Sequence, residues 1–209
     1  MNKLFIDTSS ATLSLGLKSE DFEYKFEGDE HQNKISENVL PEIVNLCDKA
    51  KITFKDIDEI FVTKGPGSYT GERIGLTIAK TLYVLNNNVI IHEISTLKAM
   101  SLDKKQILSI CLLDARNKAY FSGIYLEEKE VKEESREEHV DVVKEIDNNS
   151  RVVLLKTQKY LESNFDSFVG KIEYVDLLSN MMNNENSYEI PSEPLKMKAL
   201  YLRGKDERN

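Results

Sequence analysis

Residues 64 to 75 read Lys64-Gly65-Pro66-Gly67-Ser68-Tyr69-Thr70-Gly71-Glu72-Arg73-Ile74-Gly75. Glycine lets backbone approach a neighbour closely and take positive φ, and the start of a helix attracts anions. If this loop opens a helix, it could cradle a phosphate. It is not a Walker loop, because no lysine follows Gly71. It is not a dinucleotide fingerprint either, because Gly67 and Gly71 stand one residue too far apart. The same residues also suit a tight strand-to-helix turn packed on a neighbouring segment, and both readings stay open. A second group, Asp7-Thr8-Ser9, follows the apolar Leu4-Phe5-Ile6. A carboxylate at a strand end could orient a metal-bound phosphate or a water, or Asp7 and Thr8 could cap the turn into the next strand. A third, Asp114-Ala115-Arg116 with Tyr120, reads as a turn held by an Asp–Arg pair. An exposed arginine there could also reach a partner.

Other chemistries find no support. The three histidines, His31, His92 and His139, fall in unrelated segments, and none forms HxxxH or HExxH. Each is read as a surface or turn histidine rather than a ligand. No GxSxG elbow is present. Cys47 and Cys111 lie far apart without CxxC spacing, which reads as buried thiols in a reducing, cytoplasmic compartment. No apolar run approaches the ~20 residues needed to span a bilayer, and Met1–Asp7 reads as a strand rather than a signal peptide. The net charge of −8 offers no sizeable basic patch. Phosphate neutralisation supplies most RNA affinity, so any RNA is expected to be held by another subunit.

The elements that must position these groups are well marked in the first half. Leu4–Ile6, Thr12–Leu17 and Phe22–Phe26 read as three strands in an antiparallel meander. Helical spacing of Ile35, Val39, Ile43, Leu46 and Cys47 predicts a helix over about 34–51. Pro41 would either start it or kink it. Ile60–Thr63 is the next strand, Lys64–Thr70 the loop, Gly71–Leu85 a second helix, and Val89–His92 a fifth strand. Ser95 is placed to cap a short helix through Ser101. Ile107–Leu113 and Ala119–Tyr125 begin a second round. The charge-crowded stretch 127–145 reads as a solvated ribbon or loop. Arg151–Leu155 reads as a strand, 158–165 as a short helix, and the Asn-rich stretch 180–187 as a loop.

Several of these segments together resemble the bacterial TsaB family of tRNA threonylcarbamoyladenosine biosynthesis proteins. They are Ile6–Ser9, Ser36-Glu37 with Leu40-Pro41, the loop Gly65–Gly75, Ile94–Leu97, and Asp114–Arg116 with Tyr120. The resemblance covers residues 1 to about 125, with Tyr201-Leu202-Arg203 near the end. It implies an α/β fold of the actin/sugar-kinase/Hsp70-like (ribonuclease H-like) type. Each of its two lobes would be a mixed sheet flanked by helices, here residues 1–103 and a reduced lobe 104–209. It further implies a non-catalytic subunit that pairs with a catalytic TsaD-like paralogue and a TsaE-like ATPase, touches tRNA only through that complex, and forms a homodimer when alone. The paralogue's metal-binding histidine pair falls here on Thr96 and Met100, so no metal site is expected. No cofactor is required of this chain, any nucleotide belonging to the subunit interface. Glu72 stands where the family loop is commonly apolar.

The same resemblance points to the two helices flanking the loop as the partner surface. Both carry more apolar residues than one packing stripe needs, and Ile35, Val39, Ile43, Leu76 and Tyr83 are the expected contacts. The competing activity is an autonomous phosphotransferase or ATPase of the same superfamily, and a weaker one is a peptidase. A kinase of this fold would need a glycine-rich phosphate loop in the second lobe, where the chain has only Leu112-Leu113-Asp114-Ala115.

Overall fold

A computed structural model describes residues 1–10, 12–29, 34–147 and 149–202, without the side chains of 169 and 170. His31 and Arg203 lie outside the described residues. The chain divides into two compact units. Met1–Ser95 with Met181–Leu200 form the first, and Thr96–Asn180 with Tyr201 and Leu202 belong to the second. A single cut near residue 103 therefore misses a return of the chain into the first unit.

The first unit runs β1 (Lys3–Asp7), β2 (Ser14–Lys18), β3 (Glu23–Glu27), α1 (Ile35–Ala50), β4 (Glu59–Thr63), α2 (Tyr69–Leu85) and β5 (Ile90–Ile94). The sheet order is β3-β2-β1-β4-β5. β1, β2 and β3 pair antiparallel, and β1, β4 and β5 pair parallel. The short connections after β1 and β2 allow only the meander, whereas α1 and α2 supply the crossovers that parallel pairing requires. Strand β1 is buried on both faces, as its unbroken Leu4-Phe5-Ile6 run demands. One face packs Leu4, Ile6, Leu15, Ile60 and Val62 against Val39, Ile43 and Leu46 of α1 and Leu76, Ala79 and Leu82 of α2. On the other face Phe5, Phe61 and His92 stack at 4.7 and 4.4 Å between ring centres. Tyr188, from the returning segment, meets Phe61 edge-on at 5.0 Å. The return is tied down by the Glu93–Glu189 backbone bridge, by Glu185 against Lys3 and Lys18, and by Lys80 Nζ donating to the Met197 carbonyl at 2.6 Å. Pro41 sits well inside α1, and α2 starts at Tyr69, earlier than expected.

The second unit runs α3 (Thr96–Ser101), β6 (Leu108–Asp114), β7 (Ala119–Leu126), β8 (Lys129–Glu138), α4 (His139–Val143), β9 (Ser150–Leu155), a 3-10 stretch over Lys156–Lys171 broken at Gln158 and Phe165, and β10 (Ile172–Val175). A last helix, α5 (Leu177–Asn183), carries the chain back to the first unit. Its sheet order, β10-β9-β6-β7-β8, repeats the first sheet strand for strand, with β6-β7-β8 antiparallel and β6-β9-β10 parallel. Both units are thus mixed sheets flanked by helices, the actin/sugar-kinase/Hsp70-like arrangement expected of the chain.

Two stretches differ from expectation. The charged ribbon contains a ten-residue strand, β8, because Ser135 and Glu137 turn inward. Their short or ion-paired polar groups disguise the alternation, and Lys132 neutralises Glu137. The Asn-rich stretch contains much of α5, because Met181 and Met182 are fully buried.

Arg151 of β9 holds the second unit at four points. It donates to Ser109 Oγ at 2.9 Å, both Asp103 oxygens at 2.6 and 3.0 Å, Glu173 at 2.8 Å, and the Ser101 carbonyl at 3.2 Å. Removing one partner of a buried ion group strands the others, at a cost of about 2–4 kcal/mol where they keep partial access to water. Arg151→Met should lower the urea midpoint by a corresponding amount, while Lys144→Met, at an exposed pair, should leave it nearly unchanged.

Candidate functional site

Asp7 ends β1 and is 1% exposed. Its Oδ1 accepts from Ser9 N at 3.1 Å, Ser9 Oγ at 2.6 Å and Thr63 Oγ1 at 2.7 Å, and its Oδ2 accepts from Ser10 Oγ at 3.2 Å. The next residue is used just as fully. Thr8 Oγ1 donates to the Gly71 carbonyl at 2.7 Å and accepts from Gly75 N at 3.1 Å. The Ser9 carbonyl accepts from Ser68 N at 2.7 Å. The strand-end motif and the glycine loop are therefore one interlocked unit.

The glycines explain how the segments come so close. A Cβ on Gly71 would stand 1.8 Å from the Thr8 carbonyl oxygen, and one on Gly67 2.1 Å from that of Ser9. Real Cβ atoms do not approach so near, so these two positions admit only glycine. The close approach is made to the chain's own strand end. Ser68 then caps α2, its hydroxyl accepting from Gly71 N at 3.3 Å. Gly65, at φ 97°, precedes Pro66 through a cis peptide bond.

Glu72 closes the loop from the helix side. It is 2% exposed, and its Oε1 lies against Gly65. The Gly67 N–H donates to its carboxyl, but Oε2 has no partner among the described residues. Burial pushes its pKa up to about 7, against the opposing pull of the Gly67 N–H.

Outward from this knot, α1 and α2 leave a shallow cavity of about 330 Å³ whose walls include Leu40, Tyr69, Arg73 and Ile74. Tyr69 is 57% exposed, and the Arg73 guanidinium lies over its ring at 4.2 Å. Leu40 and Val44 of α1 are also exposed. The residues expected to meet a partner are placed differently. Val39, Ile43 and Leu76 lie in the unit's own core, Leu76 at 3% exposure, while Ile35 and Tyr83 are half-buried against it. The helical stripe that sequence periodicity picks out is the inward one. The outward signal is the apolar residues off that stripe, Leu40 and Val44, and the aromatic at the helix start, Tyr69.

In the second unit Asp114 does not pair with the Arg116 side chain. Its Oδ1 accepts from the Arg116 backbone N–H at 2.7 Å, and its Oδ2 accepts from Tyr160 OH at 2.9 Å. Tyr120 is buried and accepts from Asn164 at 2.8 Å. Thr96 and Met100 are buried. His92 stacks on Phe61, and His139 packs among Tyr120 and Phe165, so both are half-buried packing groups rather than surface histidines. Burial pushes the Cys47 thiol up to about 11 and raises Cys111 further, so neither is a reactive thiolate. Among the described residues no His, Cys, Asp and Glu side chains cluster to hold a metal, and no helix is long and apolar enough to cross a membrane.

A family model described as tRNA N6-adenosine threonylcarbamoyltransferase (TsaD) matches residues 29–186. A protein of Bacillus subtilis (strain 168), tRNA threonylcarbamoyladenosine biosynthesis protein TsaB, is 32% identical over 127 residues, 60% of this chain and 55% of that protein. The TsaB protein of Buchnera aphidicola subsp. Schizaphis graminum is 37% identical over 114 residues, 50% of this chain and 52% of that protein. The chain thus spans about half the length of these relatives. Among solved structures, an uncharacterized Pseudomonas aeruginosa protein with similarity to peptidase YEAZ superposes with a TM-score of 0.75 at 19% identity. That match covers 97% of this chain and 99% of the other, a likeness of fold.

Two outcomes follow from the site. Gly71→Ala should fail to fold stably or lose more than about 3 kcal/mol, since the clash is with backbone. A soluble, fully stable Gly71→Ala protein would mean the glycine is not needed for packing. For Glu72, the folded pKa exceeds the unfolded value, so the folded state binds the extra proton. Its contribution is fully present below about 4.5 and is lost as pH rises towards about 7. Glu72→Gln should remove that decline and stabilise the protein above pH 7 by about 2 kcal/mol, read from denaturation curves across pH.

Proposed function

This chain belongs to the tRNA N6-adenosine threonylcarbamoyltransferase family, and from that premise we propose that it is a non-catalytic partner subunit of a tRNA threonylcarbamoyladenosine-forming complex. Its role is to bind and activate a catalytic TsaD-like relative. The observation that carries this reading is the α1–α2 face, where Leu40 and Tyr69 stand exposed in the wall of a cavity shared with Thr70 and Arg73, and Val44 is exposed one turn further along α1. Exposed apolar surface of this kind, next to an amphipathic aromatic and an arginine, suits protein–protein contact. The strand-end carboxylate that a phosphotransferase of this fold would turn towards its substrate is here engaged by Ser9, Ser10 and Thr63. Thr96 and Met100 offer no imidazole to a metal.

In this reading the same face makes the homodimer when the chain is alone, so homodimer and heterodimer compete. A TsaE-like ATPase joins the assembly, nucleotide binds at a subunit interface if at all, and tRNA is held through the complex in the cytoplasm.

The test uses Leu40→Glu and Tyr69→Glu, which leave the core untouched. A carboxylate forced into a closed apolar interface costs several kcal/mol, so association should weaken by about 100-fold or more. Both variants should stay folded, run as monomers in light scattering, and fail to co-purify with the catalytic relative. Incubation of the wild-type chain alone with tRNA, ATP, bicarbonate and threonine plus the enzyme that activates them should yield no modified nucleoside. Adding the relative should restore it. Product from the chain alone, or unimpaired co-purification by both variants, would overturn the reading.

A further inference from the structure

Glu72 is buried in a way that sets it apart from the other carboxylates of the chain. Its Oε2 is buried and has no hydrogen-bond partner among the described residues. Glu93, Glu134, Glu137 and Glu145 also carry a buried, unpartnered Oε2. Through the other oxygen, however, Glu93 takes Lys64, Glu137 and Glu145 take Lys132, and Glu134 takes the Tyr125 hydroxyl. Asp7, equally buried, is engaged through both oxygens by Ser9, Ser10 and Thr63. The Glu72 carboxyl has the backbone N–H of Gly67 in place of a cation or a hydroxyl. Charged groups on the neighbouring elements are committed elsewhere. Lys64, at the start of the loop, turns to Glu93 of β5 and to Glu189 of the returning segment. Arg73 of α2 lies over the Tyr69 ring, and Asp7 of β1 is held as above. Burial acts first on the Glu72 carboxyl and raises its pKa to about 7, with the Gly67 N–H pulling the other way.

The carboxyl is also a wedge. It fills the space over Gly65, where a Cβ would stand 2.6 Å from its Oε1 and 2.7 Å from its Cδ. Its contacts are therefore with the loop, at Gly65 and Gly67. Helix α2 does not depend on it. Ser68 Oγ caps the helix on Gly71 N, and Thr8 Oγ1 holds both the Gly71 carbonyl and Gly75 N. A charged carboxylate in an unpaired buried site gains by moving to water. Glu72 lies in the first turn of α2, where the helix dipole favours a negative charge. Rotation outward thus costs the helix nothing and costs the loop its wedge and the Gly67 bond.

We propose that Glu72 is a proton-operated latch on the Gly65–Gly67 loop: neutral, it stays seated against both glycines, and on losing its proton to water it turns out to solvent and lets the loop open while α2 stays formed. The seated state binds the proton more tightly than the open one. Its advantage is therefore full below about 4.5 and is lost as pH rises towards about 7. The loop ends two residues before Tyr69, which lines the α1–α2 cavity, so the latch stands in sequence at the entry to the proposed partner face. The latch itself does not depend on that reading.

Amide exchange of the full chain, followed by NMR across the acid-to-neutral range and corrected for the intrinsic pH dependence of exchange, tests the latch. In the wild type, protection of the Gly67 N–H should fall by more than about 10-fold on going from about pH 5 to about pH 7. That exchange should be insensitive to low urea, the mark of a local opening. The Gly75 N–H, held by Thr8, should exchange only through larger, urea-sensitive unfolding. Glu72→Gln keeps an oxygen for Gly67 but cannot ionise, so its Gly67 protection should stay constant with pH. Glu72→Leu, which removes the carboxyl altogether, should likewise show no pH dependence and serves if the glutamine variant folds poorly. Gly67 protection that does not change with pH in the wild type would overturn the proposal. So would a pH dependence that survives in both variants. Gly67 exchange that follows Gly75 in urea would overturn it as well, by tying ionisation to unfolding of the whole unit.

Discussion

The first unit is organised by one backbone contact, the approach of the loop at Gly67 and Gly71 to the carbonyls of Ser9 and Thr8. A Cβ at either place would push α2 away from the end of β1. With glycine there, Thr8 reaches α2 from both sides, donating to Gly71 and accepting from Gly75. The start of α2, and with it the outward side chains Tyr69 and Arg73, is thereby set relative to the sheet. Asp7 locks the other half of the contact. Its oxygens accept from Ser9, Ser10 and Thr63, so β1, β4 and the following turn share one charge. Hydrogen bonds to an ionised acceptor are worth roughly twice neutral ones, which suits a joint that must not slip.

Glu72 adds a tension to that joint. A leucine-like side chain at this position would pack under Gly65 without electrostatic cost. The carboxyl instead gains the Gly67 N–H but leaves Oε2 buried and unpaired. Two opposing terms act on it, and burial dominates. The loop is therefore held by a group that is easier to bury protonated than charged.

Much of this was legible in the residues. The unbroken Leu4-Phe5-Ile6 run placed β1, the period-two runs placed β2 and β3, the helical stripe placed α1 and α2, and the resemblance to a known family placed the second sheet. The loop and Asp7-Thr8-Ser9 were recognisable as a group, but not as partners of each other, because nothing in linear spacing shows that residue 8 meets residue 71. Three of the residues expected at a partner surface lie on the inward side of the helices. Val39, Ile43 and Leu76 obey the periodicity because they face the core, whereas Leu40 and Val44 stand out by breaking it. In β8 the inward positions are Ser135 and Glu137, so alternation of polarity was hidden behind uniformly polar text. The return of Met181–Leu200 to the first unit was not legible either. It depends on Tyr188 finding Phe61 and on Glu185 finding Lys3 and Lys18, contacts across more than half the chain.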